Sequence, residues 1–596
     1  MNGDLDLAPI GNCGVSALID RAGTYVWACI PRVDGDPVFS SLLSGQPAAE
    51  APHGVWTVAL EDQKSAAQHY LPNTPILITT LTDARGGSVG VIDFCPRFRR
   101  HNRVYRPGAF VRIVRPLAGA PRLRMRLAPA TDWASRGADT TNGSNHIRYR
   151  AAQVLRLSTT APVSHILSAR PFRLEDEHIF FLGPDEPFDG DLRATVGAMF
   201  ENTRDYWLTW TRMLATPLEW QVAVIRAAIT LKLCLYEETG AIVAALTTSI
   251  PEAPNSGRNW DYRFCWLRDA YYTVQALNRI GAVDILENYL QYLRNIVDAA
   301  PVGRIQPVYG VGMEPILQES EVAALQGYRG MGPVRIGNQA HEHHQHDVYG
   351  QIVLSTVQAF YDERLIRRPN ADDFAALESV GERAYAMYLQ PDAGLWEFRN
   401  RAAVHTYSSV MCWAACDRLA NAAARLHLGE RTAHWRAKAD EMRETILRRA
   451  WNPELGRFSA TLDGAEMDAS LLQMLDTRFV RPNDERFLAT LAALETDLKR
   501  GEHVLRYADE DDFGRPETAF NFCTFWYIEA LSLVGRKEEA RALFETMLAR
   551  RTHAGLLSED CDLITGAPWG NYPQTYSLSG LINCAVLLSE PWSTVR

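Results

Sequence analysis

The hydrophobic period of the chain changes once, near residue 190, and few folds accommodate such a change. Apolar residues at every second position fit a pleated strand with one buried face, whereas repeats of three and four fit one stripe of a helix. Before residue 190 the period is two. Arg122-Leu123-Arg124-Met125-Arg126-Leu127 alternates between a cationic and an apolar face, as a half-buried antiparallel strand does. Gly14–Asp20 turns at Arg21-Ala22-Gly23 into Thr24–Ile30, and Pro75–Thr82 turns at Gly86-Gly87 into Ser88–Phe94. Shorter strands are expected at His146–Arg150, Val154–Ser158, His165–Ser168 and Ile179–Leu182. Many short strands separated by Gly, Pro and Asp turns predict an N-terminal antiparallel β-sandwich over residues 1–190.

After residue 190 the period is helical. Leu192–Leu214 predicts a helical linker (191–216), and Pro217 opens a helix (217–237) whose face carries Val222, Ile225, Ile229 and Leu233. Further helices are expected at 267–280, 283–298, 348–362, 371–389, 406–426, 430–449, 467–475, 484–495, 518–534, 537–550 and 574–588, which makes twelve. Twelve helices with long loops after alternate ones predict a toroid of six inner and six outer helices, a C-terminal (α/α)6 barrel over residues 217–596. The inner helices should be the more apolar, as Met411–Ala415 and Phe520–Leu533 are.

Composition narrows the function without naming it. A net charge of −10 disfavours nucleic acid or an anionic membrane as partner. No run approaches the ~18 apolar residues of a membrane span. The start Met1–Asp6 has neither the basic stretch nor the apolar core of a secretory signal, so a cytoplasmic location is expected. The ten cysteines form no Cys-x-x-Cys pair; Cys412 and Cys416, four apart on an expected helix, read as reduced core residues. His341, His343, His344 and His346 with Glu342 lack the His-Glu-x-x-His spacing of a zinc site, so no metal is expected. No phosphate-binding glycine loop and no nucleophilic Ser or Cys motif stands out, and no cofactor is expected. Nothing in the sequence sets an oligomeric state.

Chemistry concentrates elsewhere. Three long loops, Pro254–Trp266, Pro301–Asp347 and Gly555–Pro573, are too rich in aromatics and arginines to suit disorder. The run Gly394-Leu395-Trp396-Glu397-Phe398-Arg399 sets one carboxylate among an indole, a phenyl ring and a guanidinium. Aromatic faces pack on the C–H surfaces of a sugar, and apolar neighbours raise a carboxyl pKa toward neutrality, as a general acid requires. Alone, such a run is more often a helix end with a surface ion pair. Asn259–Asp269 interleaves four aromatics with arginines and aspartates. Arg268 and Asp269 there suit paired hydrogen bonds to adjacent hydroxyls of a polyol. The plainer alternative is a helix N-terminus with favourable acids.

That segment resembles the Asn-Trp-Asp-Tyr-Arg-x-x-Trp-x-Arg-Asp signature of glycoside hydrolase family 15, the glucoamylase and bacterial trehalase family. Further segments agree in order along nearly the whole chain. Ile10-Gly11-Asn12, Trp27 and Pro31-Arg32 match at the start. Gly327–Gly330 with Pro333–Asn338 resembles the substrate loop, and Asp347–Gly350 follows it. Gly394–Arg399, then Thr406-Tyr407-Ser408, resembles the general-acid segment. Leu556–Glu559, continued by Gly570–Gln574, resembles the general-base segment. The resemblance implies the same sandwich, linker and barrel. It also implies Glu397 as general acid and Glu559 as general base, with Arg268 and Asp269 holding the non-reducing glucose. Tyr262 and Trp266 would line the pocket, and Arg329, Arg335, Trp396 and Arg399 would form its wall. The chain departs from the family pattern at Ser409, at Leu578 and in the histidine-rich 341–346 run, changes expected to lie near the second sugar.

What the resemblance implies is an inverting, exo-acting α-glucoside hydrolase. Glu397 protonates the glycosidic oxygen while Glu559 deprotonates a water attacking the opposite face, and β-glucose leaves without a covalent intermediate. The expected partner is a small α-glucoside, trehalose ahead of maltooligosaccharides on a glucoamylase pattern. Two rivals stand beside it. An inverting disaccharide phosphorylase replaces the base with a phosphate site, which the presence of Glu559 disfavours. A non-catalytic glycan-binding protein would be expected to lose a carboxylate.

Overall fold

The computed structural model describes residues 4–300, 304–367 and 369–595. Its first part is antiparallel sheet. A seven-stranded sheet has the order Ala8–Gly11, Ser16–Ile19, Tyr25–Cys29, Val55–Leu60, Arg122–Ala128, Phe172–Arg173, with Pro37–Phe39 beside Tyr25–Cys29. An eight-stranded sheet has the order Asp139–Asn142, His146–Arg150, Val154–Thr159, His178–Pro184, Phe110–Ala118, Ser88–Phe94, Leu77–Asp83, Gln63–Tyr70. Arg122–Ala128 alternates as its sequence requires, burying Leu123, Met125 and Leu127 opposite Leu60, Val58 and Trp56. Across the two sheets the Arg112 guanidinium is fully buried. Its Nε donates to Asp93 at 2.8 Å, and it lies 4.8 Å from the Tyr25 ring and 4.9 Å from the Trp56 ring.

Some details differ from the sequence reading, which also did not name Pro37–Phe39, Val55–Leu60 or Gln63–Tyr70 as strands. His165–Ser168 is no strand: Val163–Leu167 is a short helix, α1, opened after Pro162 and closed where Ser168 Oγ donates to Ser164 O at 2.7 Å. Proline's fixed φ favours a helix start over a sheet interior. Phe110–Ala118 was not expected, because Phe110–Val114 is buried on both faces and so shows no alternation.

The second part is helical. It runs α2 (Leu192–Arg212), α3 (Gln221–Leu233), α4 (Leu267–Arg279), α5 (Val283–Ala299), α6 (Asp347–Val357), α7 (Ala371–Met387), α8 (Thr406–Arg425), α9 (Gly429–Ala450), α10 (Gln473–Asp476), α11 (Glu485–Asp497), α12 (Asn521–Leu533), α13 (Lys537–Ala549) and α14 (Thr575–Leu588). The expected helix at 467–475 is a tight Ala469–Leu472 turn, capped by Asp468 at the Ser470 N–H (2.9 Å), that runs into the single turn of α10. α3 begins only after Trp220, whose φ of 56° is left-handed. Ile229 and Leu233 of the expected face are buried, together with Ala223, Val224, Ala227, Ala228 and Leu231, whereas Val222 in the first turn is exposed; the small alanines let α14 approach. α4 packs on α6, α6 on α8, α8 on the Ala469 turn, that turn and α10 on α12, α12 on α14, and α14 on α4, so the contacts close a ring. α5, α7, α9 and α13 each pack on members of that ring. Ring helices are buried all round, as in Thr406–Cys416 of α8, whereas the buried residues of α9 fall on one stripe, Trp435, Ala439, Met442, Ile446 and Ala450. Among the described residues no helix is long and apolar enough to cross a membrane. All ten cysteines are buried with free thiols.

The sheet part also grips the loops of the helical part. Trp27 Nε1 donates to Leu246 O at 2.8 Å, and Tyr572 OH to Leu7 O at 2.7 Å. Arg263, in the Pro254–Trp266 loop, donates from Nη1 to Gly35 O at 2.7 Å and pairs with Asp261 at 2.9 and 2.7 Å. Its guanidinium lies 4.8 Å from the Trp133 ring. Burial holds the Asp261 carboxyl above its usual range, against the pull of Arg263. Arg263→Met leaves that carboxyl buried without its counter-ion and should destabilise the protein by ~3–5 kcal/mol, read as a lowered midpoint of chemical unfolding.

Candidate active site

One cavity gathers side chains from the Pro254–Trp266 loop, α4, the Gly394–Arg399 turn, the stretch before α12, the Gly555–Pro573 loop and α14. Its acid turn is tight. Glu397 N–H donates to Gly394 O and Phe398 N–H to Ala393 O, both at 3.1 Å. Gly394 has φ 66° and Glu397 φ 61°. A non-glycine residue there costs roughly 1–2 kcal/mol, so the turn holds Glu397 under strain. A Cβ at Gly394 would lie 2.8 Å from the His405 ring, which leaves glycine as the residue that fits. The strained turn presents Glu397 Oε1 to Trp266 Nε1 at 2.6 Å, Arg268 Nη2 at 3.0 Å and Gln345 Nε2 at 3.2 Å. The apolar surroundings expected for Glu397 are thus corrected. Three donors converge on one oxygen, because Trp266 and Arg268 stand where the loop enters α4 and face the turn; none of them bonds Oε2.

Arg268 is almost wholly engaged by protein. Nε donates to Tyr576 OH at 2.8 Å, and Nη1 to Gln345 Oε1 at 2.6 Å and Asp347 Oδ2 at 3.3 Å. With Nη2 on Glu397, these contacts leave one of a guanidinium's five N–H groups for a ligand. Its neighbour Asp269 is different. Oδ2 is buried without a hydrogen-bond partner, and burial pushes the carboxyl up to about 7 despite Arg268.

Glu559 is built by strand pairing. Asp560–Cys561 lies between Ala519–Phe520 and Pro568–Trp569, and Glu559 N–H donates to Asn571 O at 3.2 Å. Oε1 accepts the Tyr262 hydroxyl at 2.8 Å and Oε2 the Asn571 N–H at 3.1 Å. Burial, then the charges of Glu252 and Asp560, push the Glu559 carboxyl well above its usual range; Arg506 and the Tyr262 hydroxyl pull the other way.

Of the residues singled out in the sequence, Tyr262, Trp266, Arg268, Asp269, Trp396, Glu397, Arg399 and Glu559 line the cavity. Arg335 and Arg329 do not. Arg335 braces the wall from behind, donating to Gly257 O and Asn259 O at 3.1 Å with its guanidinium 5.0 Å from the Trp260 ring. Arg329 sits in the Gly327–Gly330 turn, 5.7 Å from the Trp569 ring, and lines a separate cleft against the sheet part. Ser409 and Leu578 are packing residues: Ser409 Oγ donates to Tyr388 O at 2.6 Å, and Leu578 is fully buried in α14. Of the histidines only His343 lines the cavity, whereas His341 Nδ1 lies 2.9 Å from Asn338 O. Among the described residues no group of three or more His, Cys, Asp or Glu side chains is arranged to hold a metal ion.

The sequence reading marked Arg258 and Trp260 only as parts of their loop and missed Glu252, Arg506, Tyr507 and the Asp511–Phe513 segment; all of them line the cavity. An Arg-Tyr pair followed by four acids within a helix-free stretch, Arg506–Asp512, was the available signal.

Comparison with known proteins gives a consistent result. The family described as "Glycosyl hydrolases family 15" matches residues 221–586, and "Trehalase-like, N-terminal" matches residues 6–158. The chain is 30% identical to a trehalase of Mycobacterium tuberculosis, covering 98% of this chain and 89% of that protein. It is likewise 30% identical to a trehalase of Thermoplasma volcanium, covering 98% of this chain and 93% of that protein. A bacterial glucoamylase solved with acarbose shares the fold at a TM-score of 0.68, with 12% identity over 98% of this chain and 94% of that one.

Gly570 tests how closely Glu559 is positioned. Its φ is 72°, and a Cβ there would lie 2.6 Å from both Cβ and Oε2 of Glu559. Gly570→Ala should lower kcat about 10²-fold, the scale of a ~1 Å misplacement of a reacting group, while circular dichroism stays that of the parent.

Proposed function

The chain belongs to glycoside hydrolase family 15, and from that membership we propose that it is an inverting, exo-acting α-glucosidase whose preferred substrate is trehalose. Its units on this reading are a β-sandwich (1–190), a helical linker (191–216) and an (α/α)6 barrel (217–596). The observation that carries the mechanism is that two carboxyl groups from distant loops, Glu397 and Glu559, line one cavity with separate sets of donors.

Glu397 acts as the general acid. Its Oε1 is occupied by Trp266, Arg268 and Gln345, so Oε2 is the oxygen that delivers the proton to the glycosidic oxygen. Glu559 acts as the base: oriented by Tyr262 and Asn571, it takes a proton from a water that attacks the anomeric carbon from the opposite face. Asp269 offers its unpartnered Oδ2 to a sugar hydroxyl, and Arg268 adds its remaining N–H. Trp266, Tyr262 and Trp396 supply apolar faces for the ring.

One feature favours a two-sugar substrate over a polymer: the full-length relatives named above are trehalases. Within the cavity lining, Arg258 donates to both Asp511 oxygens at 2.7 and 2.5 Å, Arg399 N–H to Asp512 Oδ2 at 2.6 Å, and the Trp260 and Phe513 rings meet edge to face at 5.0 Å. Those contacts tie the Gly394–Arg399 turn and the Pro254–Trp266 loop to the Asp511–Phe513 segment.

Glu397→Gln and Glu559→Gln, each near-isosteric, should each lower kcat by ~10²–10⁴ in stopped assays on trehalose. Proton NMR of the first-formed sugars then reads the stereochemistry. An inverting enzyme releases one α- and one β-glucose from trehalose, because only the donor carbon inverts; a retaining enzyme releases α-glucose alone. In parallel kinetics the kcat/KM for trehalose should exceed that for maltotriose and soluble starch. Glucose 1-phosphate among the products would instead mark a phosphorylase.

A further inference from the structure

The wall that carries Glu397 holds a side chain that the reaction as described leaves unused. His343 lines the cavity, and both its ring nitrogens are buried without a hydrogen-bond partner. No other histidine among the described residues has both nitrogens in that state. His341, by contrast, has Nδ1 at 2.9 Å from Asn338 O. The ring is held in place from its backbone. His343 N–H donates to Ala340 O at 3.0 Å, Arg304 Nη1 to Glu342 O at 2.7 Å and Ala393 N–H to His344 O at 2.8 Å. The last of these ties His343 to the turn that presents Glu397, and Gln345, two residues on, donates to Glu397 Oε1 at 3.2 Å.

Burial, against the Glu397 charge and with that of Arg399, holds the imidazole below its ordinary pKa. At neutral pH the ring is therefore neutral, with one N–H to donate and one lone pair to accept. A buried donor and acceptor left unmatched are a cost that native proteins rarely carry without a use. No side chain or backbone group among the described residues matches them, so their partner comes from the cavity. Stereochemistry says which part of a substrate that is. In an inverting displacement the acid stands beside the departing group, and the base on the opposite face of the sugar under attack. His343 stands with the acid, on the segment that bonds Glu397, whereas Glu559 is held by Tyr262 and the Asn571 N–H. The departing half of trehalose is a glucose, whose hydroxyls each donate and accept.

We propose that His343 sets specificity for the departing sugar: its two ring nitrogens exchange hydrogen bonds with hydroxyls of the glucose that leaves when Glu397 protonates the glycosidic oxygen. The inference rests on the reading of Glu397 as general acid. A departing group without those hydroxyls leaves the imidazole unmatched and is turned over less well for that reason. Glu397 itself is indifferent to them, because the proton it gives goes to the glycosidic oxygen alone.

The test sets trehalose against methyl α-glucoside. Both release an alcohol and need the same proton from Glu397, but methanol offers no further hydroxyl. His343→Ala should lower kcat/KM for trehalose by about 10- to 100-fold and leave that for methyl α-glucoside unchanged. His343→Gln, which keeps a donor and an acceptor, should recover most of the loss on trehalose. Equal losses on the two substrates make His343 a support of Glu397 or of the fold and overturn the proposal. An undiminished kcat/KM for trehalose in His343→Ala overturns it as well. His343→Leu, closer in volume, takes the place of His343→Ala if that variant does not fold, with the same outcomes. The two readings fail separately: normal turnover of trehalose by Glu397→Gln removes the acid assignment, whereas an inactive Glu397→Gln beside equal losses in His343→Ala removes only the role of His343.

Discussion

The Arg268 guanidinium holds four side chains from three pieces of chain at fixed angles. Tyr576 comes from α14, Gln345 from the loop before α6, Asp347 from α6 itself and Glu397 from the strained turn. A planar fork of five donors specifies direction as well as distance, which a lysine ammonium would not. The cation is buried, so its partners are held by desolvated, charge-assisted hydrogen bonds rather than by screened surface pairs. Around it the aromatic layer is continuous: Tyr576 stacks on Phe522 at 4.4 Å, and Trp396 packs on Phe520 and Tyr507 while its indole N–H reaches Asp468 at 2.9 Å. The floor of the cavity is thereby set before any sugar arrives, which is the condition for spending binding energy on the transition state.

The two glutamates illustrate how surroundings make groups of identical composition unlike, as the separate roles proposed for them require. Glu397 is partly buried and fenced on one oxygen by an indole, a guanidinium and an amide. Glu559 is buried among acids, with a phenol and a backbone amide as its donors. The sheet part contributes to both at a distance. Through Arg263 it anchors the loop that carries Tyr262 and Trp266, and through Leu7 it anchors Tyr572, which follows the Asn571 amide.

Much of this was legible in order along the chain. Period-two runs such as Arg122–Leu127 and helical runs such as Gly429–Ala450 report their own burial, because one face of each meets a core. The Asn259–Asp269 and Gly394–Arg399 segments stood out because aromatics, arginines and acids rarely crowd together without a ligand. Where legibility ended, the cause was local. Val222 is exposed because it stands in the first turn of α3, at its end, while Ile229 and Leu233 farther along the same face are buried. His165–Ser168 reads as a strand only until Pro162 is given its fixed φ. Arg329 and Arg335 look like pocket arginines in sequence, yet their turns aim one at Trp569 and the other at the back of Trp260.

By itself, then, the sequence determined the order of sheet and helix and marked the loops rich in aromatics, arginines and acids, two of which carry Glu397 and Glu559. Those properties depend on neighbours within a few residues, which any strand, helix or motif must show. Only the tertiary structure decided what each carboxylate meets. The donors on Glu397 and the acids around Glu559 come from positions far apart in the chain, and burial makes those distant charges strong. Arg506, Glu252 and Asp560 carry no motif of their own; they matter because the fold removes water from between them.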